Sequence, residues 1–154
     1  MEQKTKINAD TGKQDLVITR EFELPLELLF KAYEDAEIIE QWMGTKVLKL
    51  ESRKHGSYQF ETLDPKGNKH GFNGTIHEFI PNEKITRTFE MENRPFGVQL
   101  EIYSFEQLTD ETSKLTMHVI YESPAQRDEV LKLPFTQGIN WAHNRLQDIV
   151  SNLK

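Results

Sequence analysis

Five histidines, His55, His70, His77, His118 and His143, are the first candidates for chemistry in a chain that has no cysteine. A metal centre needs three or four ligands converging with fixed geometry. His70 and His77 stand an odd number of residues apart in one strand-like run, so they point to opposite faces. No H-E-x-x-H pair occurs, and the expectation is no metal, with the histidines mostly exposed or at edges. There is no G-x-S-x-G turn, Walker loop or dinucleotide glycine pattern, so no catalytic residue and no cofactor is assigned. The charged pair that stands out is Glu78 and Arg87. A short loop over residues 80–83 would pair Phe79 with Lys84 and set Ile76 opposite Arg87, with Glu78 diagonal to it and within reach of a long side chain. A charge on an inward face needs a partner. The pair is therefore either a polar spot for a ligand carboxylate or carbonyl, an acid/base, or a structural ion pair near a sheet rim.

The apolar residues around that pair fall into period-2 sets. Tyr58 and Phe60, then Phe72, Gly74 and Ile76, then Phe89 beside Arg87, then Leu100 and Met117 form the more apolar faces of successive strands, and these are the expected inward faces. With Trp42 from a helix and Ile139 from the last helix, they make a candidate pocket that is mostly apolar with few polar groups. Each aromatic alone is better explained by core filling, and only the set together points to a pocket. Gly74 in mid-strand leaves room on its face or permits a bend.

Particular elements must position these residues. Residues 15–22 alternate as a strand. Pro25 opens a helix carrying Leu26, Leu29, Phe30 and Tyr33. Asp35 caps a second one, with Ile38, Ile39 and Trp42 on one face and Gly44 ending it. Strands follow at 46–52, 57–63, 69–80, 84–91, 97–108 and 113–121, separated by turn clusters such as Asp64-Pro65-Lys66-Gly67-Asn68. Short connections predict an antiparallel meander. Ser123-Pro124-Ala125-Gln126 reads as a helix start, and Pro134 restarts the chain into a long helix with Phe135, Ile139, Ala142, Leu146, Ile149, Val150 and Leu153 on one stripe. The order is strand, two helices, six strands, long helix: an α+β fold of about six to seven strands. Residues 1–14 are polar and expected to be flexible, and 15–154 are expected to form one domain.

The chain has 154 residues and a net charge of −6 with acids and bases interspersed. That excludes a sequence-independent nucleic-acid binder, which needs a basic footprint. The first residues lack an apolar signal region, and no run approaches the ~20 apolar residues of a membrane span. The expectation is a cytoplasmic protein that does not engage membranes, a monomer or weak homodimer.

A curled sheet is wider than the single helix on its concave face, so space remains beside the helix, and the short helix pair is placed to close one end of it. This order resembles the helix-grip fold of the START-like superfamily, also called SRPBCC or Bet v-like. "ELPLELLFKAYEDAEIIEQWMG" (23–44), with Pro25, Phe30, Ala32, Trp42 and Gly44, is similar to the signature of the branch related to the C-terminal domain of the activator of the heat-shock protein 90 ATPase. "GTIHEFIPNEKITRTFE" (74–90), with Gly74, Glu78, Pro81 and Phe89, resembles its second signature, and "GINWAHNRLQDIV" (138–150) its closing helix. Ile139 stands where many relatives carry Trp, and Trp141 lies off the apolar stripe. The resemblance implies a cavity between long helix and sheet that takes a small apolar or aromatic molecule. It also implies two alternatives, a module that regulates a chaperone and a cyclase- or hydrolase-type enzyme.

Overall fold

The computed structural model describes residues 4–154. Eight antiparallel strands form one sheet in the order β1-β2-β8-β7-β6-β5-β4-β3. They are β1 (Lys6–Asn8), β2 (Asp15–Phe22), β3 (Lys46–Leu50), β4 (Ser57–Leu63), β5 (Lys69–Ile80), β6 (Lys84–Met91), β7 (Val98–Thr109) and β8 (Thr112–Ile120). Helices α1 (Leu26–Glu34) and α2 (Ala36–Met43) follow β2, and α3 (Pro124–Leu131) and α4 (Phe135–Ser151) close the chain. This is the helix-grip fold. It has one strand more than expected: within the polar N-terminal segment, Lys6–Asn8 pairs with Thr19–Val17 as an edge strand.

The helix pair is built by local signals. Asp35 Oδ1 accepts from Glu37 N (2.9 Å) and Ile38 N (3.3 Å), capping α2. Gly44 leaves it at φ 63°, the left-handed conformation that a glycine adopts without penalty. The pair crosses from β2 to β3 over the concave face. Phe30 wedges edge-on between Phe79 (5.4 Å) and Phe105 (4.9 Å), and Tyr33 meets Trp42, Tyr103 and Phe105. Full burial of one such ring stabilises by about 1.5–3 kcal/mol. Trp42 donates its indole N–H to the Ala32 carbonyl at 2.8 Å, which locks α2 onto α1. From α4, Arg145 donates to the Trp42 and Gln41 carbonyls, satisfying the end of α2.

Two faces differ from the sequence expectation. In β5, Ile76 does face Arg87, but a bulge follows it: Glu78 pairs with Thr86 and Phe79 with Ile85. A bulge adds one residue and so reverses the alternation beyond it. Phe79 therefore turns into the core, and Glu78 turns out to meet Lys84 (2.9 Å) and Thr86 (2.9 Å). In β7 the inward set is Gln99, Glu101, Tyr103 and Phe105, which stand opposite Phe89, Arg87 and Ile85 of β6 and Val119, Met117 and Leu115 of β8. Leu100 lies on the outer face, between Thr88 and Ile120. The more apolar alternate set of a strand is not always the buried one, because an inward arginine on β6 demands its counter-charge on β7.

Candidate functional site

Between α4 and the concave face lies a cavity of about 520 Å³. Trp42, Phe60, Phe72, Phe89, Met117 and Ile139 line it, as the sequence suggested. Tyr58 and Ile76 are buried in the core beside it and do not line it. Glu78 and Leu100 are elsewhere, for the reasons of register given above. The α1–α2 pair supplies Tyr33, Ile39, Trp42 and Met43 as one wall. At the other end, the wall consists of Arg94 and Phe96 from the β6–β7 loop, with His70 of β5, and Leu133 and Phe135 from the α3–α4 junction.

One polar cluster sits in the apolar wall. Arg87 Nε donates to Glu101 Oε1 at 3.0 Å, and Arg87 Nη2 donates to the Tyr103 hydroxyl oxygen at 2.7 Å. Tyr103 in turn donates to Glu101 Oε1 at 2.9 Å, and Gln99 Nε2 donates to Glu101 Oε2 at 2.9 Å. The guanidinium is sandwiched between the rings of Tyr58 (4.6 Å) and Tyr103 (4.8 Å). The geometry needs Gly74. Tyr58 stands opposite it in the β4–β5 ladder, and the Tyr58 hydroxyl donates to the Thr88 carbonyl of β6 at 2.6 Å. A Cβ at Gly74 would collide with that same carbonyl.

Burial dominates the titration of these groups. It pushes the phenols of Tyr58 and Tyr103 well above their ordinary range, partly opposed by the Arg87 charge. Arg87 stays charged: burial opposes its charge, but Tyr103, Tyr58 and Glu101 outweigh that and hold it above the usual arginine value. The cluster thus holds a guanidinium and a carboxylate in a site where neither is solvated on its own, which is tolerable only because each is hydrogen-bonded.

The sequence reading missed Glu101, Tyr103, Gln99 and His143. Against the expectation of mostly exposed or edge histidines, His143 is 1% exposed and lines the cavity from α4. Its place three residues before Leu146 on the apolar stripe was the available signal. For Glu101, the signal was the need for an acid beside Arg87. Of the other histidines, His118 meets Asp15 at 2.7 Å on the outer face, whereas His70, in the cavity wall, meets Asp64 at 2.9 Å. Among the described residues no group of three or more His, Asp or Glu could hold a metal ion, and no helix is long and apolar enough to cross a membrane.

Residues 23–151 match the family described as Activator of Hsp90 ATPase homolog 1-like protein. The chain belongs to that family. Solved structures from several bacteria share the fold. A crystal structure of a Mycobacterium smegmatis protein superposes with a TM-score of 0.84 at 21% identity, covering 94% of this chain and 95% of that one. A solution structure of an Arthrobacter aurescens protein gives 0.87 at 16% identity, over 96% and 91%. A Rhodobacter sphaeroides protein gives 0.84 at 20% identity, over 97% and 100%. At these identities the likeness concerns the fold alone. No curated protein matches the chain.

Proposed function

We propose that this protein binds a small, largely apolar or aromatic molecule in the cavity between α4 and the sheet. The observation that carries the reading is the cavity itself. Its volume, about 520 Å³, falls within the range of small-molecule sites, and its wall is mostly apolar, with the organised Arg87–Glu101–Tyr103 cluster set into it and His70, Glu92, Arg94 and His143 as the other charged or imidazole side chains. The cluster suits recognition better than proton transfer. Glu101 already accepts from Arg87, Gln99 and Tyr103, so the carboxylate of this cluster is not presented as a lone base. Arg87 is the open side of the cluster. Nη1 has no hydrogen-bond partner among the described residues, and the side chain keeps 12% exposure although it points inward. It can therefore donate to a ligand oxygen.

Amide NMR of the labelled protein, titrated with fatty acids, flavonoids, sterols and aromatic polyketides, tests this. Saturable shifts at Phe60, Phe72, Phe89 and Ile139 are expected for at least one class. A native spectrum without shifts across the panel refutes the reading.

The family description favours one second reading, regulation of a chaperone. Trp141, 58% exposed on α4 beneath Arg145 (5.2 Å), is the side chain best placed to anchor such a contact. Pull-down with the chaperone, repeated with Trp141→Ser, tests it, and undiminished capture by the variant rejects Trp141 as the anchor. The cytoplasm is the compartment that fits either reading.

A further inference from the structure

A second polar device faces the cavity from the helix side. Thr5, just before β1, is 3% exposed and joined to three other buried residues. Its N–H donates to Asn140 Oδ1 at 3.1 Å, its hydroxyl lies 2.8 Å from His143 Nδ1, and Arg20 Nη1 donates to the same hydroxyl oxygen at 3.2 Å. The ring of His143 is held edge-on to Phe22 at 5.6 Å.

This network orients a proton. Arginine only donates, so Thr5 Oγ1 accepts from Arg20. The hydroxyl hydrogen of Thr5 then has one acceptor among the described residues, His143 Nδ1; the opposite arrangement strands that hydrogen in the interior. Nδ1 thus accepts, and the ring hydrogen sits on Nε2. Among the described residues, the sealed side-chain polar atoms without a partner are Arg20 Nε, Tyr121 OH and Arg127 Nε. His143 Nε2 also has no partner but is not among the sealed atoms, and His143 lines the cavity.

We propose that His143 is a ligand-recognition residue of this cavity, held by Arg20 and Thr5 as the Nε2–H tautomer, and that the ligand is an uncharged aromatic carbonyl compound whose oxygen accepts from that N–H. The proposal rests on the cavity reading above. Burial keeps the ring in its neutral form, with its pKa lowered to about 3, so it donates one directed hydrogen bond without bringing a charge. On the facing sheet the Arg87 charge is matched by Glu101 at 3.0 Å. The other charged lining residues, Arg94 and Glu92, are opposite in sign, so an anionic ligand would leave a net negative charge in the cavity. A ligand amine would find the Glu101 oxygens already engaged. An acceptor oxygen on a neutral aromatic frame suits both walls.

Benzophenone and diphenylmethane test this, since they share two rings and differ in the carbonyl. Benzophenone is expected to bind the wild-type protein roughly three- to tenfold more tightly, the range that one hydrogen bond supplies. His143→Phe should erase the preference, so that the two probes bind the variant with equal affinity, and His143→Gln should keep part of it. Ring-nitrogen NMR should show His143 protonated at Nε2. Thr5→Val should release the tautomer and the preference together, and Thr5→Ser should restore both, which a purely structural Thr5 would not do. Equal affinities for the two probes, with shifts at the cavity wall, overturn this inference and leave the cavity reading standing. Protonation at Nδ1 also overturns it. No shift at the wall with either probe overturns both.

Discussion

Glu101→Leu removes the carboxylate from a guanidinium that has little water to fall back on. Side-chain exposure is 12% for Arg87 and 6% for Glu101. After the substitution Arg87 keeps the Tyr103 hydroxyl and two ring faces but no anion. Breaking a buried pair from one side costs about 3–5 kcal/mol. Against a total stability of about 5–15 kcal/mol, that is a large share. For a chain of this size each kcal/mol moves Tm by about 2–4 °C, so a fall of roughly 10 °C is expected. The partner experiment separates the pair from the site. Arg87→Met with Glu101→Leu removes both charges and both desolvation costs, and should come within about 1 kcal/mol of wild type or exceed it. Urea denaturation of the four proteins of the cycle gives the numbers. A single-variant loss under about 1 kcal/mol, the figure for solvated pairs, would refute the claim that this cluster is buried. So would a double variant no more stable than Glu101→Leu alone.

Gly74→Ala drives a methyl into the Thr88 carbonyl and against the Tyr58 hydroxyl (2.7 Å), and should cost about 1–3 kcal/mol in chemical denaturation. A Gly74→Ala protein as stable as wild type would mean that the β5–β6 ladder is looser than described. His143 predicts a pH dependence. Its folded pKa of about 3 lies below its ordinary 6.5, so the unfolded chain binds the proton first. Its contribution is fully present above pH 6.5 and is lost as pH falls from there toward 3, by up to about 1.4 kcal/mol per pH unit. His143→Phe should flatten that part of the stability profile relative to wild type, and an unchanged profile would contradict the buried neutral ring. Ile139→Trp places a larger side chain on the cavity wall. It should weaken binding of whichever panel compound binds the wild type while leaving the denaturation midpoint nearly unchanged, and equal binding would place the ligand elsewhere.

Element order was legible because each element carries its own local signal. Asp35 and Gly44 mark the ends of α2, Pro124 and Pro134 mark the starts of α3 and α4, and turn clusters separate β4, β5 and β6. The observed Ser57–Leu63, Lys69–Ile80 and Lys84–Met91 match the sequence reading residue for residue. β1 was not legible, since three residues in a polar segment become a strand only by pairing with β2 and by the attachment of Thr5 to α4. Within strands, period-2 alternation determined two faces but not which face was inward. For β4 and β6 hydrophobicity chose correctly. For β7 it failed, because Val98, Leu100 and Ile102 form the more apolar set while Glu101 and Tyr103 turn inward to Arg87.

What the sequence determined by itself was therefore the order of elements apart from β1, the family, and the inward aromatics of β4 with Phe72 and Phe89. Tertiary structure alone decided where the polar chemistry sits. A bulge after Ile76 sent Glu78 outward and Phe79 inward, and the counter-charge of Arg87 came from the neighbouring strand. A histidine on α4 was oriented by a threonine 138 positions away in sequence. Pairing across strands and helices depends on register, and register is a property of the whole sheet, which one added residue reverses.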